Sequence, residues 1–482
     1  MSANNTRPAA GPVVDAGGGR DAPTSSIRVR LREPARLRNL ELLLLLFAFV
    51  INAGAILLVQ LGALGEVRQE ILTYSAVIAG LALGLHLTLR VVASQADPFI
   101  LPIATVLNGI GIAMIYRLDI AGGREGWGAS GIRQMAWTAI AMFAAFVVLV
   151  VIRNHRVLQR YRYIAMFVGI GLLLLPLIPG IGREINGSQV WIGIGPQRPD
   201  GSVPLSFQPG ELAKIALAVF FAGYLVTARD SLSLVGKKFL GMRFPRVRDL
   251  GPILIIWVAA MGVLVLQRDL GTSLLYFGLF LIMIYVATGR VSWVLLGLTL
   301  FVGGAVAASQ LLGYVNSRFN GWLDAFNNDI YSQLGGSYQL VQGLFGIADG
   351  GMVGKGLGQG RPDLVPFAES DFIIASLGEE LGLTGLFALL CLFLLFVSRG
   401  FRIGFAGQDD FGRLLGIGLA FVIALQVFIV IGGITRVIPL TGLTTPFMAA
   451  GGSSLVANWI IAALLLRLSD TVRNQPRLVV EA

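Results

Sequence analysis

Long apolar segments recur along the chain, separated by shorter polar ones, and this alternation predicts a bundle of membrane-spanning helices. One helix needs about 20 mostly apolar residues to cross a bilayer core of about 30 Å. The segment from Gly251 to Thr288 is too long for one span, and its polar sequence QRDLGT, at 267–272, predicts a tight helical hairpin. About twelve segments meet the length requirement, and they begin near Leu40, Leu72, Pro98, Ala136, Ile164, Glu211, Gly251, Thr272, Val291, Phe372, Leu414 and Pro446.

The composition supports this interpretation and excludes a soluble protein. Of the 482 residues, 55% are hydrophobic and only 13% are charged, which is more apolar surface than a soluble core can hide. We therefore predict an all-α polytopic membrane protein. The single cysteine and the two histidines form no cluster with zinc-like spacing, so we expect no tightly bound metal.

The distribution of positive charge predicts the orientation. If the N-terminus is cytoplasmic, the inner segments carry most of the 37 Lys and Arg residues, as membrane proteins prefer. Both termini are then cytoplasmic, and the connections 182–210 and 313–370 face outward. The basic end of the N-terminal tail is expected to serve topology and anionic lipid, and we expect no nucleic-acid partner.

The sequence FAESDFIIASLGEELG places four carboxylates at the start of an apolar segment. Asp371 stands where the outer connection enters a helix, so it is either a catalytic base or a helix cap. Glu379 lies about 12 Å further along a continuous helix, which is too far for a carboxylate pair of the kind that retaining glycosidases use. Glu379 and Glu380 are therefore expected to be structural, bonded to neighbouring helices.

Two further groups of charges lie near the predicted outer face. In FQPGELAK, Glu211 and Lys214 are three residues apart, so they share a helix face and can neutralise each other or line a polar cavity. Asp269, in QRDLGTS, can cap the next helix through the backbone N–H of Gly271 or Thr272, or face the same cavity.

The long outer connection and the last span contribute weaker signals. The charged residues of the outer connection are each expected to be solvated unless a site recruits them; they are Arg318, Asp324, Lys355, Arg361 and Asp363. The sequence GGMVGKGLGQG is not a phosphate-binding P-loop, because Gly follows its Gly-Lys where Ser or Thr is required. The small residues of TGLTTPFMAAGGSS are expected to permit close helix packing.

Several of these motifs together resemble the SEDS family of cell-wall polymerases. NGSQVWIGIG, FQPGELAKI, RDLGTS, YQLVQGLFGIADGGMVGKGLG, SDFIIASLGEELGLTG and TGLTTPFMAAGGSS appear in the family's order and membrane context. The resemblance runs from about Pro98 to Leu466 and is stronger to the elongation branch, of actinobacterial type, than to the division branch. It implies a ten-helix core at 96–467 with two additional helices at 40–95. The polar composition of 1–39 predicts a disordered basic cytoplasmic tail, and the charge distribution places the 468–482 tail in the cytoplasm.

The resemblance also implies a function and a set of site residues. The expected enzyme is a peptidoglycan glycosyltransferase that polymerises lipid II at the outer face of the bacterial cytoplasmic membrane, with a class B penicillin-binding protein as partner. Asp371 matches the family's essential aspartate, and no cofactor is expected beyond a possible divalent cation such as Mg or Mn. Supporting polar positions are Glu211, Lys214, Asp269 and Asp363, and the substrate-binding candidates are Arg318, Lys355, Arg436, Gln189, Trp191 and Gln208.

The chain departs from the family pattern at three places. Arg268 stands where proline is usual, Glu369 and Ser370 replace a common His-Thr, and the sequence MAAGGSS lacks a usual Ser-Tyr. Two other functions also suit such a helix bundle: a flippase or transporter for lipid-linked precursors, and a morphogenetic scaffold. We detect no inverted repeat, and the polar groups gather at one predicted face, which favours a one-sided enzyme.

Overall fold

A computed structural model describes most of the chain. The described residues are 27–29, 34–185, 187–194, 205–233, 238–239, 242–243, 258, 261–262, 265–333, 335–474 and 478–480. Two units are distinguished, one of residues 1–32 with 475–482 and one of residues 33–474. In the first unit, β1 (Ile27–Val29) pairs antiparallel with β7 (Leu478–Val480).

The second unit is built almost entirely from helices. Short connections join most of the described helices, and a small sheet lies between two of them. The helices are α1 (Pro34–Ala63), α2 (Gln69–Val92), α3 (Ile100–Ala121), α4 (Ser130–Val151), α5 (Arg156–Arg160), α6 (Arg162–Leu174), α7 (Pro209–Ser233), α8 (Leu270–Thr288), α9 (Val291–Leu311), α10 (Gly313–Leu323), α11 (Asn328–Tyr331), α12 (Tyr338–Gly350), α13 (Ile373–Ala406), α14 (Asp410–Ile434) and α15 (Gly452–Arg473).

Ten of the described helices are long and apolar enough to cross a membrane, which confirms the all-α membrane fold. They correspond to ten of the predicted segments. The segment predicted near Ile164 forms a shorter apolar helix, Arg162–Leu177, which ends in a 3-10 turn. The segment predicted from Gly251 lies largely outside the described residues. Helix α1 begins at Pro34, earlier than predicted, and most of the remaining 1–39 tail also lies outside them.

The centre of the bundle is formed by α3, α14 and α15, whose side chains are mostly buried. Helix α1 packs along α3, α4 packs against α15, and α13 packs against both α12 and α14. Close approach depends on small residues at some crossings. For example, a Cβ on Gly452 would lie 2.1 Å from the Trp137 side chain, which confirms the predicted packing role of the small residues there.

A three-stranded antiparallel sheet precedes α7. It consists of β2 (Gly182–Ile185), β3 (Ser188–Ile194) and β4 (Leu205–Phe207), with β3 in the centre. The 313–370 connection contains α10 to α12 and a 3-10 turn at Pro362–Leu364. A two-stranded hairpin of β5 (Lys238–Phe239) and β6 (Met242–Arg243) follows α7.

Candidate active site

Asp371 and Arg318 face the same glycine. A Cβ built on Gly442 would lie 3.5 Å from Asp371 Oδ2 and 3.9 Å from Arg318 Nη1. Gly442 has a φ of +80°, so the turn favours glycine on conformational grounds as well. Arg318 lies on α10 and is held in place by donating from Nη1 to the carbonyl oxygen of Leu440, at 2.8 Å.

The electrostatic surroundings of Asp371 favour a proton acceptor that titrates near neutral pH. Burial raises its pKa to about 6, while a Ser370 hydrogen bond and the positive charge of Arg318 limit the increase. Asp269 contributes a smaller increase by charge repulsion. A carboxyl group with a pKa in this range is well matched to general-base catalysis.

Asp269 caps α8, as the sequence predicted. Its Oδ1 accepts the backbone N–H of Thr272 at 2.9 Å, and its Oδ2 lies 3.4 Å from the donor Gln208 Nε2. Burial raises the pKa of Asp269, and the nearby Arg318 lowers it. The Arg318 guanidinium therefore acts on both Asp269 and Asp371, so these three groups share one polar region.

The predicted ion pair on α7 forms and is fully buried. Lys214 Nζ lies 2.7 Å from Glu211 Oε2, and it also donates to Gln426 Oε1 at 3.0 Å and to Asn458 Oδ1 at 3.3 Å. All three hydrogens of the ammonium group thus have acceptors. Because Glu211 also contributes charge at Asp269, this network borders the polar region around Asp371.

Other predicted residues lie apart from this region or have different partners. Lys355 pairs with Asp349, and Asp363 pairs with Arg361 at 3.6 Å. The Arg436 guanidinium donates to the carbonyl oxygens of Trp322 and Leu323, so it fixes the end of α10. The partners of these residues therefore differ from Asp371.

Two substrate-binding candidates lie on the central strand β3. The backbone N–H of Gln189 donates to the carbonyl oxygen of Gln267 at 3.2 Å, which ties the sheet to the turn that precedes α8. Trp191 pairs with Arg183 across the sheet and is half-buried. The sheet therefore contacts the segment that carries Asp269.

The other carboxylates of the FAESDFIIASLGEELG sequence have structural partners, as predicted for two of them. Glu380 Oε1 accepts from Arg117 Nε at 3.0 Å, and Glu379 Oε1 accepts the backbone N–H of Arg361 at 2.6 Å. Glu369 pairs with Arg124 at 3.0 Å. Asp371 is thus the carboxylate of this sequence that remains next to the polar region.

Sequence reasoning did not identify Gln426, Asn458 and Gly442. The first two lie in the apolar helices α14 and α15, and a polar side chain inside a membrane helix is itself a sign of a functional or structural partner. Gly442 gave no such sign, because its role depends on a turn and on two side chains that are distant in sequence.

Among the described residues, no group of three or more His, Cys, Asp and Glu side chains is arranged to hold a metal ion. Arg318 supplies positive charge near both Asp269 and Asp371.

Comparison with known proteins gives matches over most of the chain. The family model for FtsW, RodA and SpoVE, described as "Cell cycle protein", matches residues 99–474. The peptidoglycan glycosyltransferase RodA of Mycobacterium tuberculosis is 45% identical, covering 91% of this chain and 92% of that protein. A probable FtsW of Nitrosococcus halophilus is 33% identical, covering 79% and 93%. The predicted resemblance to actinobacterial RodA over FtsW is thereby confirmed.

A solved structure is also similar. It comes from a study of the structural coordination of polymerization and crosslinking by a peptidoglycan synthase complex. The similarity has a TM-score of 0.62 at 27% identity and covers 79% of this chain and 99% of that one.

Proposed function

Because the chain belongs to the FtsW, RodA and SpoVE family of cell cycle proteins, we propose that it is a peptidoglycan glycosyltransferase of the RodA type. Its substrate would be lipid II, and its product a β-1,4-linked glycan strand made during cell elongation. The observation that carries the proposal is the placement of a half-buried carboxylate, Asp371, beside the cation Arg318 in a polar region of a membrane helix bundle.

The chemistry requires few groups. Lipid II carries an α-linked sugar diphosphate, and a β-1,4 bond inverts that centre. The acceptor 4-hydroxyl oxygen forms a bond to the anomeric carbon while the bond from that carbon to the diphosphate oxygen breaks. Asp371 accepts the hydroxyl proton, and undecaprenyl diphosphate leaves with the bonding electrons. The substrate is already activated, so no nucleotide is consumed.

Arg318 is the cation best placed to assist. It lies next to Asp371, and positive charge near a departing diphosphate stabilises the negative charge that develops there. The same charge keeps the pKa of Asp371 from rising further, so the base stays ionised at neutral pH. Lys355 and Arg436 are weaker candidates for this role: Arg318 is the cation whose charge acts on Asp371, whereas Lys355 pairs with Asp349 and Arg436 is bonded to the end of α10.

The site is proposed to open to the outer face of the cytoplasmic membrane, with both termini in the cytoplasm. The charge distribution supports this orientation. Arg361 has a side chain that is 71% exposed, so Arg361→Cys in a Cys391→Ala background should react with a membrane-impermeant maleimide added to intact protoplasts. Labelling only after the membrane is permeabilised would reverse the topology.

A class B penicillin-binding protein is the proposed partner. The support is the similar solved structure, which comes from a study of polymerization and crosslinking by a peptidoglycan synthase complex.

One experiment tests the proposed activity. The purified full chain in liposomes is given lipid II with moenomycin present to silence other polymerases, and glycan strands are separated on a gel. Polymer is the expected result. Movement of lipid II across the bilayer without polymer would instead support a flippase, and would contradict the enzyme.

A further inference from the structure

Helix α13 is broken nine residues after it begins. Gly382 has a φ of 68° and a ψ of −176°, which are not helical values. The part of the helix before the break starts at Ile373, two residues after Asp371. Contacts that fix this part of α13 therefore also fix the backbone that carries Asp371.

A break in a membrane helix frees backbone groups that need other partners. Here the partners come from one loop, residues 351–361, which we call the splint loop. Its Gly351 and Met352 carbonyl oxygens accept the N–H groups of Leu383 and Thr384 at 2.9 and 3.0 Å. The exchange is reciprocal, because the N–H groups of Lys355 and Gly356 donate to the carbonyl oxygens of Glu379 and Glu380 at 3.1 and 2.9 Å.

Side chains add to this exchange on the same side of the break. Glu380 Oε2 accepts the N–H of Gly358 at 2.8 Å, and Glu379 Oε1 accepts that of Arg361 at 2.6 Å. Arg117, on α3, donates both to Glu380 and to the carbonyl oxygen of Gly360. The splint loop is thus bonded to α13 on both sides of the break and to α3.

The other face of the splint loop rests on the last turn of α1. Gln359 Nε2 donates to the carbonyl oxygen of Gly62 at 2.9 Å. A Cβ on Gly62 would lie 2.3 Å from the carbonyl oxygen of Leu357, and one on Gly358 would lie 2.8 Å from the backbone nitrogen of Ala63. Backbone meets backbone here, so neither position has room for a side chain.

Helix α1 is itself fixed along α3 by polar contacts. Asn52 donates to the carbonyl oxygen of Thr105 at 2.9 Å, and a Cβ on Gly109 would overlap the Asn52 side chain. Near the start of α1, the fully buried Glu41 accepts from Arg38 of the same helix and contacts His86 of α2, both at 2.6 Å. Such contacts specify the position of a helix in a bilayer.

Helices α1 and α2 lie outside the family match, which begins at residue 99. We propose that α1 is a positioning element for the reaction. Its last turn supports the splint loop, and the splint loop holds the part of α13 before Gly382, which fixes the backbone of Asp371. Gly62, Gly358 and Gln359 are positioning residues in this sense, since none of them contacts the reacting atoms. The expected effect on turnover rests on the proposed glycosyltransferase function, whereas the support that α1 gives to the splint loop and α13 does not.

The test compares two glycines of α1 in the full chain. Gly62→Ala adds a methyl group against the splint loop, whereas Gly54→Ala adds one where nothing lies within 4 Å. Both changes raise helix propensity, so a loss in Gly62→Ala alone cannot come from weakening the helix. A misplacement of about 1 Å can reduce turnover by about 100-fold, so we expect kcat to fall by about 10-fold or more, with KM for lipid II unchanged.

Hydrogen exchange gives a measurement that does not depend on activity. In Gly62→Ala, the amides of Lys355, Gly356, Leu383 and Thr384 should exchange at least about 10-fold faster, whereas Gly54→Ala should leave them unchanged. Gln359→Ala, which removes only one hydrogen bond to α1, should change them in the same direction. This second variant preserves the test if Gly62→Ala fails to fold.

A second pair of variants, at two glycines of the splint loop, distinguishes the loss of contact with α1 from backbone strain within the loop. Gly356 and Gly358 both have positive φ values, but a Cβ on Gly356 would meet only the flexible Gln359 side chain, at 3.7 Å. Gly358→Ala should lower kcat more than Gly356→Ala. Equal losses in this pair, an unchanged kcat in Gly62→Ala, or unchanged exchange there would each overturn the proposal. If the native chain makes no polymer, the proposed function fails, and the exchange contrast alone decides whether α1 supports the loop.

Discussion

The carboxylate of Asp371 and the guanidinium of Arg318 converge on Gly442, although 53 residues separate them in the sequence. Burial and positive charge act on Asp371 in opposite directions. Burial raises its pKa to about 6, and Arg318 opposes the increase. The result is a base that is ionised at neutral pH yet basic enough to accept a proton from a sugar hydroxyl.

The pH dependence of turnover should report this carboxyl group. Below a pH of about 6, Asp371 is protonated and cannot accept a proton, so kcat/KM, which reports groups of the free enzyme, should fall on the acid side with a midpoint near that value. The measurement is initial-rate polymerisation of lipid II between pH 4.5 and 8, with enzyme stability checked at each pH. A rate that stays constant down to pH 4.5 would contradict this assignment.

Replacing Arg318 should move that midpoint. Because Arg318 lowers the pKa of Asp371, Arg318→Gln should shift the acid limb to higher pH as well as reduce the maximal rate. Arg90→Gln is the control, since Arg90 is exposed on α2 and bonds to Asn39. An unshifted limb in Arg318→Gln would show that its charge does not act on the base.

Removing one charge of the buried ion pair on α7 should destabilise the protein more than removing both charges. Lys214→Met leaves Glu211 buried without its cation, which typically costs about 3–5 kcal/mol, so the unfolding temperature should fall markedly. The double variant Glu211→Gln with Lys214→Met removes both charges and should recover much of the loss. Thermal unfolding in detergent measures both, and a double variant no more stable than Lys214→Met would contradict the explanation.

The ion pair between Glu369 and Arg124 should affect turnover more than stability. Both side chains are partly exposed, at 27% and 35%, and pairs of this kind contribute about 0–1 kcal/mol. Glu369 nevertheless lies two residues before Asp371, so Glu369→Gln should reduce kcat several-fold while the unfolding temperature changes little. The exposed Glu125→Gln is the matched control, and equal rates in the two variants would refute the positioning role of Glu369.

The apolar pattern predicted most of the spans because each needs only length and hydropathy. The pair of Glu211 and Lys214 and the cap at Asp269 were predictable for a similar reason, since they depend on residues three positions apart. The break in α13 was not. Nothing local to Gly382 indicates that a loop of the preceding connection fills a gap in the helix there.

The positions of Arg318, Lys355 and Arg436 show the same limit. All three were plausible cations for a diphosphate, and the sequence offered no way to rank them. Tertiary contacts separate them: Arg318 lies at the same turn as Asp371, around Gly442, whereas the Arg436 guanidinium donates to the carbonyl oxygens of Trp322 and Leu323. Such choices depend on long-range packing, which no local pattern contains.

Polymerisation by Asp371→Asn is the most direct test of the account. Loss of a general base typically reduces rates by about 10² to 10⁴-fold, so kcat on lipid II should fall by that amount, while the exposed Asp329→Asn should behave like the native chain. Because the folded state raises the pKa of Asp371 above an unfolded value of about 3.9, its ionisation makes the native state less stable as pH rises from about 4 to about 6.

The Asn variant should therefore unfold at no lower a temperature than the native chain at pH 7.5. A correctly folded Asp371→Asn enzyme that makes glycan strands at the native rate would contradict the central claim.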